Sequence, residues 1–410
     1  MGKANNIFYY GKDDPLPEQI KLKAGPLEMV YSSGDLFHIN LGETEILRRI
    51  YISCRGRYWV DVIPVISDVK IDIRPGSFHI TFNAEYRQGD IDFVLKGEIT
   101  GDERGLIKFL MQGTARTTFL KNRISFCVLH PVKECAGRTC IVKKENSEAE
   151  DMFPEDISPH PVFTDIKAVS YQVLPDVWAE VRFTGGSFEM EDQRNWTDDS
   201  FKSYYPSIVL PVPVEIKKGT KISQSVTLSL KGPIPMLHPK TDNRGITLSV
   251  GSTPVCKLLR IGLSMSSVDQ SLTPNESARL RTLNLAHLRV DLYLFHSNYR
   301  KELYRAIAEA EGIDVPLEIA LHLSDAAEDE LKEFVNMSGL FTPEGKHPAI
   351  CTWFVFHINE ICTTEKIFKL ARKYLKSHNP AALIGGGTNI YFAQLRRCKS
   401  LAGQMDIASY

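Results

Sequence analysis

The second half of this chain brings together side chains that can move protons. Arg289 and Asp291 stand two apart, and Glu318 and His322 stand four apart. His357 and Asn359 are followed by Glu360, and Asn389 follows Thr388 after a run of three glycines. His357 or Glu360 can serve as a general base, with Asp291 as a further catalytic candidate. Arg289, Asn389 and Glu318 can polarise or orient a bound group. In the first half, residues 188–202 pack five carboxylates, two cations, two amides and an indole into fifteen positions. Glu189, Asp192, Arg194 and Asn195 are its candidates for substrate contact. Each assignment has a plain alternative. Arg289 with Asp291 can be an ion pair holding barrel layers together, the two histidines can be ordinary loop residues, and 188–202 can be a solvated hairpin end.

These groups need rigid elements beneath them. Alternation in Phe188-Glu189-Met190-Glu191 gives a strand with Phe188 and Met190 on one face, and 192–199 then reads as a loop. Strand-like runs such as Ser77-Phe78-His79-Ile80-Thr81-Phe82 and Ile124-Ser125-Phe126-Cys127-Val128-Leu129 recur up to Leu230, separated by turn signals such as Gln88-Gly89-Asp90. They predict an antiparallel β-sandwich domain over 1–235. The acidic stretch 143–156 reads as a loop. After Gly232-Pro233 strands and helices alternate. Strands are predicted at 258–263, 288–294, 316–322, 350–356, 382–387 and 405–410. Helices are predicted at 276–285, 299–311 (stopped by Gly312), 326–337, 365–377 and from 392. Strict alternation implies a parallel sheet, most simply a (β/α)8-type barrel over 256–410. The fold class is thus multidomain, β followed by α/β. Five full βα units and the start of a sixth are found where a closed barrel has eight, so the expectation is an incomplete barrel, truncated at its C-terminal side.

The totals narrow the class. At 410 residues, 43% hydrophobic and 24% charged, this is an ordinary globular composition. A formal net charge of -1 offers no field to attract nucleic acid or an anionic membrane. Met1 to Asn6 lack the apolar core of a signal peptide, and no apolar run spans a bilayer. A cytoplasmic location with reduced thiols is expected for the eight cysteines, which include no CxxC pair. No H-E-x-x-H or clustered His/Cys pattern is present, so no cofactor is expected, although spacing alone leaves open a divalent metal held by separate barrel strands.

Several stretches carry a family likeness: 124–131, Cys135-Ala136-Gly137-Arg138-Thr139-Cys140, 157–163 and 188–202, then His287-Leu288-Arg289-Val290-Asp291-Leu292 and 385–392. In order and content they resemble the D-apionolactonase family, lactonases of D-apionate catabolism. The resemblance implies a β-sandwich followed by a glycosidase-like barrel in longer chains, and hydrolysis of D-apionolactone to D-apionate. It implies a small sugar lactone as partner, and leaves oligomeric state open. No G-x-S-x-G elbow is present, which argues against a serine mechanism of the α/β-hydrolase type. Two alternatives remain at this stage. One is a barrel-type glycoside hydrolase with Asn359-Glu360 as its acid/base position, which would need a second carboxylate about 5 Å away. The other is a non-catalytic truncated remnant.

Overall fold

The computed structural model describes residues 7, 11, 13–207, 210–234, 248–337, 350–398 and 403–410. Met1 to Asn6 and position 235, the expected end of the first domain, lie outside these. The chain divides into two compact units, Met1–Gly245 and Ile246–Tyr410.

The first unit holds two antiparallel sheets of nine described strands each. One sheet runs in the order Ile20–Ala24, Leu27–Ser32, Asp35–Leu41, Thr44–Gly56, Phe119–Pro131, Ser200–Tyr204, Phe188–Asp192 and Phe163–Ile166, with Val214–Ile216 on the outer half of Phe119–Pro131. The other is centred on Val177–Thr184, Lys221–Lys231 and Ile107–Ala115. Period-two alternation drives both. In Ser77–Gln88 the buried set is Phe78, Ile80, Phe82, Ala84 and Tyr86. The inward faces share one core, where Phe109 meets Phe126 edge to face at 4.8 Å between ring centres.

One part of this unit departs from the expectation. The acidic stretch expected as a loop forms a strand, Glu148–Met152, paired antiparallel with Thr139–Lys143. All five of its residues are exposed. Backbone pairing at a sheet edge tolerates polar side chains on both faces, so apolar alternation was never there to be found.

The second unit holds a parallel sheet in the order Leu263–Ser264, Leu288–Tyr293, Leu317–Leu323, Ile350–His357, Leu383–Gly387 and Ile407–Ser409. Helices Pro274–Arg281, Tyr299–Ile313, Ala327–Val335, Glu365–His378 and Phe392–Arg397 connect successive strands. Leu288, Val290, Leu292, Ile319, Leu321, Trp353 and Val355 face Leu303, Ile307, Phe334, Phe368 and Leu375 across one core. The first helix starts at a capping box, in which Thr273 and Glu276 satisfy each other's backbone N–H, with Pro274 behind the cap.

Three local expectations shift. The run 258–263 supplies strand only at Leu263–Ser264, and Leu258 and Leu259 are exposed. An apolar run is no proof of burial without a partner strand, and here the register begins at Leu263 against Leu288. The second helix runs through Gly312 to Ile313 and stops where Asp314 turns left-handed at φ 59°. Cys362 and Cys398 form a disulfide, where free thiols were expected. The helix Phe392–Arg397 returns the chain to the loop holding Cys362, a proximity that their separation of 36 residues does not announce.

Candidate active site

The face of the parallel sheet opposite the helices is built from the alternate residues of three neighbouring strands. Register pairs Arg289 with Glu318, Asp291 with Ala320 and Tyr293 with His322. It pairs Glu318 with Thr352, Ala320 with Phe354 and His322 with Phe356. Polar side chains dominate the first two strands of this face, and aromatic ones the third.

These polar groups form one network. The Arg289 guanidinium meets Asp291 at 3.3 Å and Glu318 at 3.6 Å, and lies 5.5 Å from the centre of the Phe354 ring. His287 approaches the other Glu318 oxygen at 3.8 Å. His322 Nε2 is 3.0 Å from Asp291 Oδ1. Burial tends to raise the Asp291 carboxyl. Hydrogen bonds from His322 and Arg289, with the Arg289 charge, outweigh burial and hold it below the usual carboxylate range. Asp291 is therefore a carboxylate at neutral pH, which favours the His322 tautomer that donates from Nε2 and leaves Nδ1 free to accept a proton. Tyr293 stacks on the His322 ring at 4.3 Å and Phe356 at 5.2 Å, fixing its plane.

At the carboxyl ends of these strands lies a cavity of about 270 Å³, lined by Tyr293, His322, His357, Asn359, Glu360 and Asn389, with Ile358, Ile361 and Ile390 around them. His357, Glu360 and Asn389 therefore meet as expected neighbours, and Asp291 reaches them through His322. Glu360 and Asn389 are exposed. His357 is held at both ring nitrogens: Nδ1 accepts from the Asn359 N–H at 3.3 Å, and Nε2 lies 3.4 Å from Asp325. Arg289 and Glu318 stand further back along the same face, so they act on the cavity through Asp291. Tyr293 was missed at the level of sequence. Its signal was present, since it stands two residues after Asp291 and must share its face. Asp325, in the loop after the preceding strand, carried no signal at all.

The glycine run is explained by the sheet. A Cβ on Gly385 would fall 2.1 Å from the carbonyl of Ile407, and Gly387 adopts φ 128° against Ser409. The glycines admit the backbone of the last strand. Among the described residues no three His, Cys, Asp or Glu side chains are placed to hold a metal ion. Nor is any described helix long and apolar enough to cross a membrane.

The four first-unit candidates sit in a hairpin. Phe188–Asp192 pairs with Ser200–Tyr204, joined by a 3-10 turn over Gln193–Trp196. Asp192 is fully buried, and its carboxylate accepts from Ser158 N–H, Arg194 N–H and the Arg194 guanidinium at 2.8–3.1 Å. Arg194 also donates to the carbonyls of Pro154, Glu155 and Asp156. Asn195 donates to the carbonyls of Ser158 and Asp192. These three residues lace the loop 154–158 to the hairpin, and their donors are spent there. Glu189 is buried and accepts from Tyr204 and Ser207.

Comparison with known proteins agrees with this architecture. Residues 7–233 match the model of the D-apionate lactonase N-terminal domain, and residues 261–410 that of the D-apionate lactonase TIM barrel domain. The chain is similar to the D-apionate lactonase of Brucella anthropi, with 27% identity over 424 aligned positions that cover 99% of this chain and 68% of the relative. Among solved structures, a galactose 1-epimerase from Lactobacillus acidophilus covers 54% of this chain and 96% of its own, at 7% identity and a TM-score of 0.40. A beta-arabinopyranosidase covers 90% of this chain and 66% of its own, at 10% identity and a TM-score of 0.34. With both domain models matched in order over most of its length, the chain belongs to the D-apionate lactonase family.

Proposed function

We propose that this protein hydrolyses a sugar lactone, D-apionolactone, to the open aldonate D-apionate, at the cavity on the parallel sheet. The observation that carries the reading is the His322–Asp291 pair, 3.0 Å apart and opening on a cavity rimmed by Glu360, His357 and Asn389. A base oriented by a carboxylate is what the addition of water to an ester needs. His322 Nδ1 takes a proton from water as the water oxygen bonds to the lactone carbonyl carbon. The Asn389 amide donates to the carbonyl oxygen as charge gathers there. The ring C–O bond then breaks, and the imidazolium returns the proton to the departing alkoxide. The new carboxylic acid ionises to solvent. Glu360 and His357 contact the sugar hydroxyls, and Arg289 and Glu318 keep Asp291 in place.

Stopped-flow or pH-indicator assays on D-apionolactone test this. His322→Gln is expected to lower kcat by about a thousandfold, within the range that general-base removal reaches. Full turnover in His322→Gln, or no opening above buffer in the wild-type chain, rejects the proposal.

A further inference from the structure

The first unit holds a cavity of its own, lined by both of its sheets. It encloses about 410 Å³, within the range of roughly 300–1,000 Å³ usual for small-molecule sites. Asp35, Arg49 and Ile52 line it from the first sheet, and Ile66, Phe82 and Tyr86 from the second. Ile63 and Pro64 belong to the segment that joins the two sheets. Alternation along Ser77–Gln88 sends Phe82, Ala84 and Tyr86 inward together, so the phenol hydroxyl is carried to the core side with its ring.

The polar groups of this cavity are matched in charge but not in hydrogen bonds. Arg49 donates from Nε and Nη2 to one oxygen of Asp35, Oδ2, at 3.1 and 2.6 Å. The rings of Phe37 and Tyr51, centred 4.9 and 4.2 Å from the guanidinium carbon, hold Arg49 in place. Asp35 Oδ1, Arg49 Nη1 and the Tyr86 hydroxyl make no hydrogen bond among the described residues. Burial pushes the Asp35 carboxyl up to about 6, and Arg49 offsets only part of that rise. At neutral pH it is therefore a carboxylate that its one cation leaves short of donors.

A second observation concerns access. Ile63 lines the cavity and is 85% exposed, so it stands at the mouth, whereas Tyr86, at 2%, lies deep. The path between them runs over Ile52, Pro64, Ile66 and Phe82, an apolar wall ending in unspent polar atoms.

We propose that this cavity binds a neutral sugar in its ring form. Two neighbouring hydroxyls meet Asp35 Oδ1 and Arg49 Nη1, and the C–H face of the ring lies on the apolar wall. An acceptor beside a donor fits hydroxyls, which donate and accept at once. The Tyr86 hydroxyl can do either for a third. One carboxylate and one guanidinium cancel, so the site offers no net charge to an ion: an anion meets Asp35 and a cation meets Arg49. None of this depends on the lactonase reading.

Calorimetric titration of the full chain tests the site, with D-xylose and D-galactose as probes. D-galacturonate, the same ring with a carboxylate, and tetrahydropyran, a ring without hydroxyls, are the controls. The two sugars are expected to bind saturably, D-galacturonate more weakly than D-galactose, and tetrahydropyran not at all. Tyr86→Phe should weaken sugar binding by about threefold to tenfold, the scale of one neutral hydrogen bond. Its melting temperature without ligand should equal or exceed the wild-type value, because that hydroxyl has no protein partner to lose. If Tyr86→Phe does not fold, Ile63→Ser, at an exposed position, should weaken the same binding severalfold. His322→Gln separates this cavity from the one on the parallel sheet, and sugar binding should survive it unchanged. Sugar binding that is absent in the wild type, matched by tetrahydropyran, exceeded by D-galacturonate, unchanged in Tyr86→Phe, or lost in His322→Gln overturns the site, whatever the lactone turnover.

Discussion

Asp192 and Arg194 have the residue types of a ligand-binding pair, and by type and spacing alone they are indistinguishable from one. What separates the readings is the arrival of a distant segment. The loop 154–158 presents three carbonyls to one guanidinium and a backbone N–H to the Asp192 carboxylate. No local pattern states where that loop goes. With Asp192 fully buried, removal of its partner leaves an uncompensated charge inside. Arg194→Ala is therefore expected to cost about 3 kcal/mol of folding stability. Urea unfolding of the variant measures it; stability within about 0.5 kcal/mol of wild type, the usual surface effect, would return Arg194 to the candidate ligand contacts.

At the scale of elements, the parallel sheet was legible because its strands are buried and its helices amphipathic, so two periods alternate along the chain. The membership of the site followed from alternation. Arg289, Asp291 and Tyr293 share a face by spacing, and so do Glu318 and His322. The link from Asp291 to His322 crosses between strands, and register is not written in either strand alone. The edge strand Glu148–Met152 lay beyond reach for the opposite reason, having no buried face to impose a pattern. The last strand depends on glycine at its neighbour, since a Cβ on Gly385 would strike the Ile407 carbonyl at 2.1 Å. A backbone carbonyl cannot swing aside as a side chain can. Gly385→Ala is expected to unzip Ile407–Ser409 from the sheet, seen as faster amide exchange at Ile407 and Ser409. Unchanged protection at these amides would mean that the sheet absorbs a methyl group there.

The whole molecule has separate main cores, one in each unit, and they carry different titrating groups. His130 lies in the first core with no exposure. The Tyr171 hydroxyl donates to the Ile46 carbonyl at 2.8 Å, so it must accept from His130 Nδ1–H, 3.3 Å away. The bare Nε2 then accepts from the Ser203 hydroxyl at 3.1 Å. The neutral ring thus satisfies both nitrogens, and burial pulls the imidazole down from 6.5 to about 3. The folded value lies below the unfolded one, so between them the unfolded chain holds the extra proton. The stability that neutral His130 supports is present in full above pH 6.5 and is lost as the pH falls toward 3. The loss amounts to a few kcal/mol, and it falls on the first unit. Calorimetric melts taken from neutral pH to about pH 4 should show the first unit's transition moving down relative to the second's. Leu321→Ala, a cavity in the second core, identifies the second transition by moving it alone. In His130→Asn, which keeps a donor and an acceptor but no titrating ring, the first transition should start lower and lose about one proton's worth of acid slope. An identical slope in that variant would assign the acid sensitivity to other groups and leave His130 as a packing residue.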